Sequence, residues 1–145
     1  MDWGMERRMA EIIRPETGHC FFLAIDHGYF LGPTRMLEKP GETVKDLTPI
    51  ADALFVTRGV LRNSIPAATK PNVVLRISGG TSIVGPSLEN EQLVVDPEEA
   101  IRLGASAVGV SNSSAVISTP PMFILSLRIP YPPMAPAPRS IVDIA

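Results

Sequence analysis

Asp26 and His27 are the neighbouring side chains in this sequence whose types and position most readily suit chemistry. They follow the apolar run Cys20 to Ile25 and precede Gly28, so they stand where a buried strand gives way to a loop. A carboxylate there can hydrogen-bond substrate hydroxyls or transfer a proton, and an adjacent imidazole can do either. Asp-His-Gly also makes an ordinary strand-to-loop turn, and residue type alone does not separate the two. Arg58, within Thr57-Arg58-Gly59, closes a second apolar run and offers a cation to an anionic group, or an ion-pair partner between layers of the fold. Arg76 lies inside a third run, before Ser78-Gly79-Gly80, whose glycines permit close approach of backbone to a ligand or a tight turn. The chain has no Walker pattern, no Gly-x-Gly-x-x-Gly and no metal-spaced pair of His or Cys, so neither a metal nor a cofactor is expected. His19 reads as an isolated, solvated side chain, and Glu98 and Glu99 as helix-capping residues without further function.

The elements that must position these groups follow from periodicity. Trp3, Met5, Met9, Ile12 and Ile13 recur at helical spacing behind Asp2, an available N-cap, and Arg14-Pro15 closes the segment. Val44, Leu47 and Ile50 predict a helix over Thr43 to Ala51, ahead of a strand at Ala53 to Val56. Another helix begins at Gly59 to Ser64, and a third strand runs from Val73 to Ile77. Asp96-Pro97-Glu98-Glu99, an N-cap followed by proline at the first helical position, predicts a helix from Pro97 to Leu103, closed by Gly104. Ala105 to Val110 is the fourth apolar strand, and no fifth is readable after it. Four such strands separated by helices argue a parallel α/β sheet, with right-handed crossovers placing all strand C-termini on one rim.

Composition narrows the partners. With 45% hydrophobic and 19% charged residues the chain reads as one soluble globular domain. A net charge of -2, without a basic stripe, excludes a nucleic-acid-binding surface of the usual kind, so a small-molecule partner is expected. Cys20 is the single cysteine, which rules out an internal disulfide and fits a reducing cytoplasm. No apolar stretch has the length of a membrane span or a signal sequence, so neither membrane association nor export is expected.

Several segments together resemble one family: Asp2-Trp3-Gly4-Met5; Leu23 through Phe30 with Gly32-Pro33-Thr34; Thr57-Arg58-Gly59-Val60-Leu61-Arg62; Val73 through Gly79; and Ala105 to Val110. They resemble the DhnA-type branch of the class I fructose-bisphosphate aldolases over residues 1–111. The resemblance implies the N-terminal half, about four βα units, of a TIM (β/α)8 barrel. It implies carbon-carbon bond cleavage of a phosphorylated ketose-like substrate, by aldol cleavage or, in a thiolase variant, with coenzyme A as co-substrate. Asp26 matches the family's substrate-contacting aspartate, a catalytic position, and His27 and Arg58 are the accompanying candidates for substrate binding. The Schiff-base lysine of the sixth strand has no counterpart. Lys39, Lys45 and Lys70 are the only lysines, all in segments read as loop or helix, whereas a nucleophilic amine needs a desolvated or cation-flanked site. The chain is therefore expected to be inactive alone.

The last 26 residues hold 7 of the 15 prolines, which argues against regular helix or sheet there. Residues 112–145 read as a disordered, Pro-rich tail foreign to the family. One permitted back-translation, with a single T inserted after the Asn112 codon, reads Asn-Phe-Ile-Gly-Ser-Asp and restores the family pattern, so a one-nucleotide frameshift is expected to explain the tail. An intact small flavodoxin-like domain is a lesser reading. Another is a non-catalytic half-barrel that pairs with a partner chain or with itself, because half a barrel leaves open strand edges that favour self-association.

Overall fold

The protein is described by a computed structural model covering residues 2–80, 82–85 and 91–110, together with the backbone of 123–126. Helix α1, Trp3–Ile12, starts where expected: the Asp2 carboxylate accepts a hydrogen bond from the Met5 amide at 3.0 Å. Strand β1, Phe22–Ala24, is followed by the single-turn helix α2, Gly28–Leu31. Between β1 and the next strand, the expected helix over Thr43 to Ala51 is replaced by a short helix α3, Pro40–Thr43, and a 3-10 turn, Thr48–Ile50. Two prolines explain the difference. Pro40 occupies the first position of α3, and Pro49, lacking an N–H, removes a bond that an α-helix across 43–51 would need.

Strand β2, Ala53–Thr57, runs directly into helix α4, Arg58–Ser64, whose first turn is capped by the Thr57 hydroxyl accepting from the Val60 amide at 3.3 Å. Strand β3, Asn72–Arg76, follows. The two-residue strands β4, Ser78–Gly79, and β5, Gln92–Leu93, pair antiparallel as a flap beyond its end. Helix α5, Pro97–Arg102, has Asp96 as N-cap, accepting from the Glu98 amide at 2.8 Å, and Gly104 at φ +75 turns the chain out of it. Strand β6, Ala107–Val110, and strand β7, Phe123–Ser126, complete the described elements.

β1, β2, β3, β6 and β7 form one parallel sheet in that spatial order, with β1 and β7 at its edges among the described residues. The fifth strand corrects the expectation that none follows Val110. It occupies part of the proline-free window 122–129, so it needs none of the backbone donors that the flanking prolines lack. The remainder of the Pro-rich tail, and with it the frameshift expectation at Asn112, lies outside the described residues.

Alternation along the strands divides the core in two. Leu54, Val56, Leu75, Ile77, Val108 and Val110 point to the helical side, where Val44 and Ala100 cover them. Ala53, Phe55, Val74 and Ala107 point the other way and are closed at the strands' N-terminal ends by Ile12 of α1. Gly109 belongs to this inner face, and the Phe55 ring occupies the space that a side chain there would take. α1 is tied down by Asn72, whose amide donates to the Glu11 carbonyl, and by Ser106, whose hydroxyl donates to the Glu11 carboxylate at 3.3 Å. The inner face therefore has a plugged floor, and its opposite end carries the polar groups.

Candidate functional site at the strand C-termini

Register places the site. Ala24 pairs with Phe55, and the Ile25 amide donates to the Phe55 carbonyl at 2.9 Å, so Asp26 extends the inner-facing row occupied by Thr57, Arg76 and Gly109. Arg76 therefore reaches across the end of β2 to Asp26, and its Nη1 donates to Asp26 Oδ2 at 2.7 Å. Both side chains are about 95% buried, at 6% and 5% exposure. The same guanidinium donates through Nη2 to Glu91 and through Nε to the Ser78 carbonyl at 3.1 Å. The Ser78 hydroxyl in turn donates to Glu91 Oε2 at 2.6 Å. One planar cation is thus forked between carboxylates from the β1 end and from the flap that carries β5, the arrangement for which arginine's fixed donor geometry is suited.

Helix α2 closes one side of this cluster. Phe30 lies under the Arg76 guanidinium, 4.9 Å from its carbon to the ring centroid, and the Tyr29 ring packs against the backbone of Gly79. A side chain at Gly79 would meet the Tyr29 ring and displace it, so the glycine permits this close approach of α2 to β4. The Ile83 amide donates to the Phe30 carbonyl at 2.9 Å, stitching the two loops together. His27 sits beside Phe30, ring centroids 6.2 Å apart, with Nδ1 3.9 Å from Asp26 Oδ1. Chemically, the rim offers an anchored carboxylate and a half-exposed imidazole able to accept hydrogen bonds or a proton from a hydroxyl-bearing ligand.

Of the sequence candidates, Asp26 and His27 come together here and Arg58 does not join them. Arg58 opens α4 and donates to Glu99 of α5 at 3.0 Å, linking two outer helices. Glu99, expected from its position to serve the helix start without further function, makes this structural ion pair with Arg58. Glu91 was missed in the sequence because nothing local marks it: its partner Arg76 lies 15 residues away and on another element. Lys39, Lys45 and Lys70 are all exposed, and Lys39 pairs with Glu42, so none has the desolvated surroundings of an amine nucleophile.

The opposite end of the strands carries a different kind of cluster. Arg14 donates to Asp52 at 2.7 Å, and the other Asp52 oxygen accepts from the Phe21 amide, which joins the start of β1 to the start of β2. The Arg14 hydrogen bond holds the Asp52 carboxyl below its ordinary value. Burial, reinforced by Asp52, pushes the nearby Cys20 thiol up to about 11, so this cysteine is an inert structural group at neutral pH.

A parallel βα array with a plugged floor, and with its polar cluster at the strand C-termini, is the architecture of part of a (β/α)8 barrel. No family model matches the chain. Over 108 residues it is 47% identical to the 3-hydroxy-5-phosphonooxypentane-2,4-dione thiolase of Enterobacter sp. (strain 638), covering 74% of this chain and 36% of that protein. It is 48% identical to the protein of the same name in Yersinia pseudotuberculosis serotype O:1b and 46% identical to an uncharacterized aldolase of Pasteurella multocida, over 74% of this chain and 37% of each. An archaeal fructose-1,6-bisphosphate aldolase, solved with its catalytic Lys covalently bound to the carbinolamine intermediate of the substrate, has the same fold. The TM-score is 0.60 at 24% identity, over 74% of this chain and 43% of that one. Over this shared stretch the chain is similar to these thiolases and aldolases, and it spans a little over a third of the length of the curated relatives it matches.

Among the described residues no helix is long and apolar enough to cross a membrane.

Proposed function

We propose that this chain supplies the first strands and the aspartate rim of a barrel that cleaves a carbon-carbon bond in a phosphorylated ketose-like substrate. The chemistry is thiolysis of the 3-hydroxy-5-phosphonooxypentane-2,4-dione type, with coenzyme A as co-substrate, or aldol cleavage of a sugar bisphosphate; no resident cofactor is involved. The observation that carries the reading is Asp26: a buried carboxylate fixed by Arg76 at the strand end, inside the stretch that is 47% identical to a thiolase. His27 and Arg58 are the accompanying substrate-binding candidates, with His27 the one adjacent to Asp26. The site is incomplete without a Schiff-base lysine, because all three lysines of the chain are solvated. The chain therefore gives no turnover alone, and turnover needs the complementary strands. A cytoplasmic location accords with its single cysteine.

The test is complementation. The chain is co-expressed with the C-terminal remainder of the Enterobacter thiolase barrel. The complex is assayed with 3-hydroxy-5-phosphonooxypentane-2,4-dione plus coenzyme A, and separately with fructose 1,6-bisphosphate. Product release that disappears in Asp26→Asn supports the reading; a folded complex inert toward both substrates overturns it.

A second reading rests on the sheet edges. β1 and β7 each present one unpaired edge among the described residues, and Phe21 beside β1 is exposed. Such edges favour pairing with another chain, so a non-catalytic half-barrel associating with itself or with a partner predicts sedimentation as a dimer or larger. A monodisperse monomer refutes it.

A further inference from the structure

We propose that Asp26 and His27 form a carboxylate-imidazole dyad: Asp26 Oδ1 accepts from His27 Nδ1–H, and Nε2 is left as the proton-accepting nitrogen facing substrate. The inference deepens the function proposed above and takes its substrate class from that reading.

Two observations carry it. The oxygens of Asp26 are divided, with Oδ2 taken by Arg76 at 2.7 Å and Oδ1 standing 3.9 Å from His27 Nδ1. His27 Nδ1 is itself buried and makes no hydrogen bond, although the side chain as a whole is 41% exposed. The exposure therefore falls on the rest of the ring. A buried ring nitrogen without a partner is unfavourable, and a small rotation of the imidazole brings Nδ1 onto Oδ1. Such contacts are commonly loose in a ligand-free site and tighten around substrate. Phe30 bounds the rotation, tilted 33° to the imidazole on one side and stacked under Arg76 on the other.

The charges facing the dyad favour this arrangement. Arg76 Nη1 donates to Asp26 and its Nη2 to Glu91, so the guanidinium is shared between two carboxylates and Asp26 Oδ1 is left facing His27. The Nε2 lone pair then takes the proton of a substrate hydroxyl, the O–H electron pair stays on oxygen as an alkoxide, and the imidazolium formed is stabilised by Asp26. His27 Nε2 is then a second group facing substrate beside Asp26, and Asp26 Oδ1 holds its tautomer.

The experiment reads the imidazole tautomer in the full chain, labelled with 15N-histidine and held at a pH where both imidazoles are neutral. His19, the chain's other histidine and exposed, is the internal reference. Expected is a pyrrole-type Nδ1 and a pyridine-type Nε2 at His27, the reverse of His19, with Asp26→Ala returning His27 to the His19 pattern. A wild-type His27 protonated at Nε2 overturns the proposal whether or not the variant folds; so does a folded Asp26→Ala protein that keeps the wild-type tautomer. No substrate is present, so a complemented barrel without turnover would overturn the function reading and leave this result intact.

Discussion

Replacing Arg76 with methionine removes the guanidinium that Asp26 and Glu91 share while keeping most of its side-chain volume. The two carboxylates are left 5% and 11% exposed, with no cation from β3 between them. Removing one partner of a buried ion pair costs about 3–5 kcal/mol, chiefly because the remaining charge is desolvated without compensation. With a urea dependence of about 2 kcal/mol per molar, the unfolding midpoint falls by about 2 M. Arg76→Lys should lose less, since it keeps the charge but cannot fork to two carboxylates and the Ser78 carbonyl at once. The triple replacement Asp26→Leu, Arg76→Met, Glu91→Leu should recover most of the loss, because the desolvation penalty disappears along with the attraction. Urea titration followed by circular dichroism decides the matter. A midpoint shift below about 0.5 M for Arg76→Met would refute the claim that this cation neutralises buried charge.

Gly109→Ala places a methyl inside the Phe55 ring on the inner face, where strand backbone on both sides prevents relaxation, so a loss of about 1–3 kcal/mol in thermal or urea unfolding is expected. Cys20, with its thiol near 11, should react with iodoacetamide at pH 8 about a hundredfold more slowly in the folded than in the unfolded chain, as read by mass spectrometry. Asp52 has its carboxyl lowered by the Arg14 hydrogen bond, so its contribution to stability is present above the ordinary carboxylate range and is lost as pH falls through the lowered value. Asp52→Asn should therefore flatten the acid limb of the stability curve, and a wild-type limb in that variant would contradict the assignment.

The apolar strand runs were legible because β2, β3 and β6 are buried on both faces, which forces continuous hydrophobic stretches onto the sequence. Asp2 and Asp96 marked helix starts because capping is a contact within three residues, fully contained in local sequence. Asp26 and His27 were legible as a strand-end pair for the same reason, and the family resemblance rested on those local segments. Where local signals competed, sequence reasoning failed: Val44, Leu47 and Ile50 have helical spacing, yet Pro40 and Pro49 divide their segment into two short turns. The short strand at Phe123–Ser126 likewise has no local signature, because its register is supplied by β6.

Which cation holds Asp26 was decided only in three dimensions. Arg58 follows one apolar run and Arg76 lies within another, but strand parity turns Arg76 inward on the row shared with Asp26, while Arg58 opens a helix and pairs outward with Glu99. Glu91 enters the site because the flap beyond β3 folds back onto it, a contact that no periodicity encodes. Sequence by itself determined which groups could be charged and where strands end. The pairing of those charges followed from register and loop closure, because electrostatic partners are chosen by distance in space rather than along the chain.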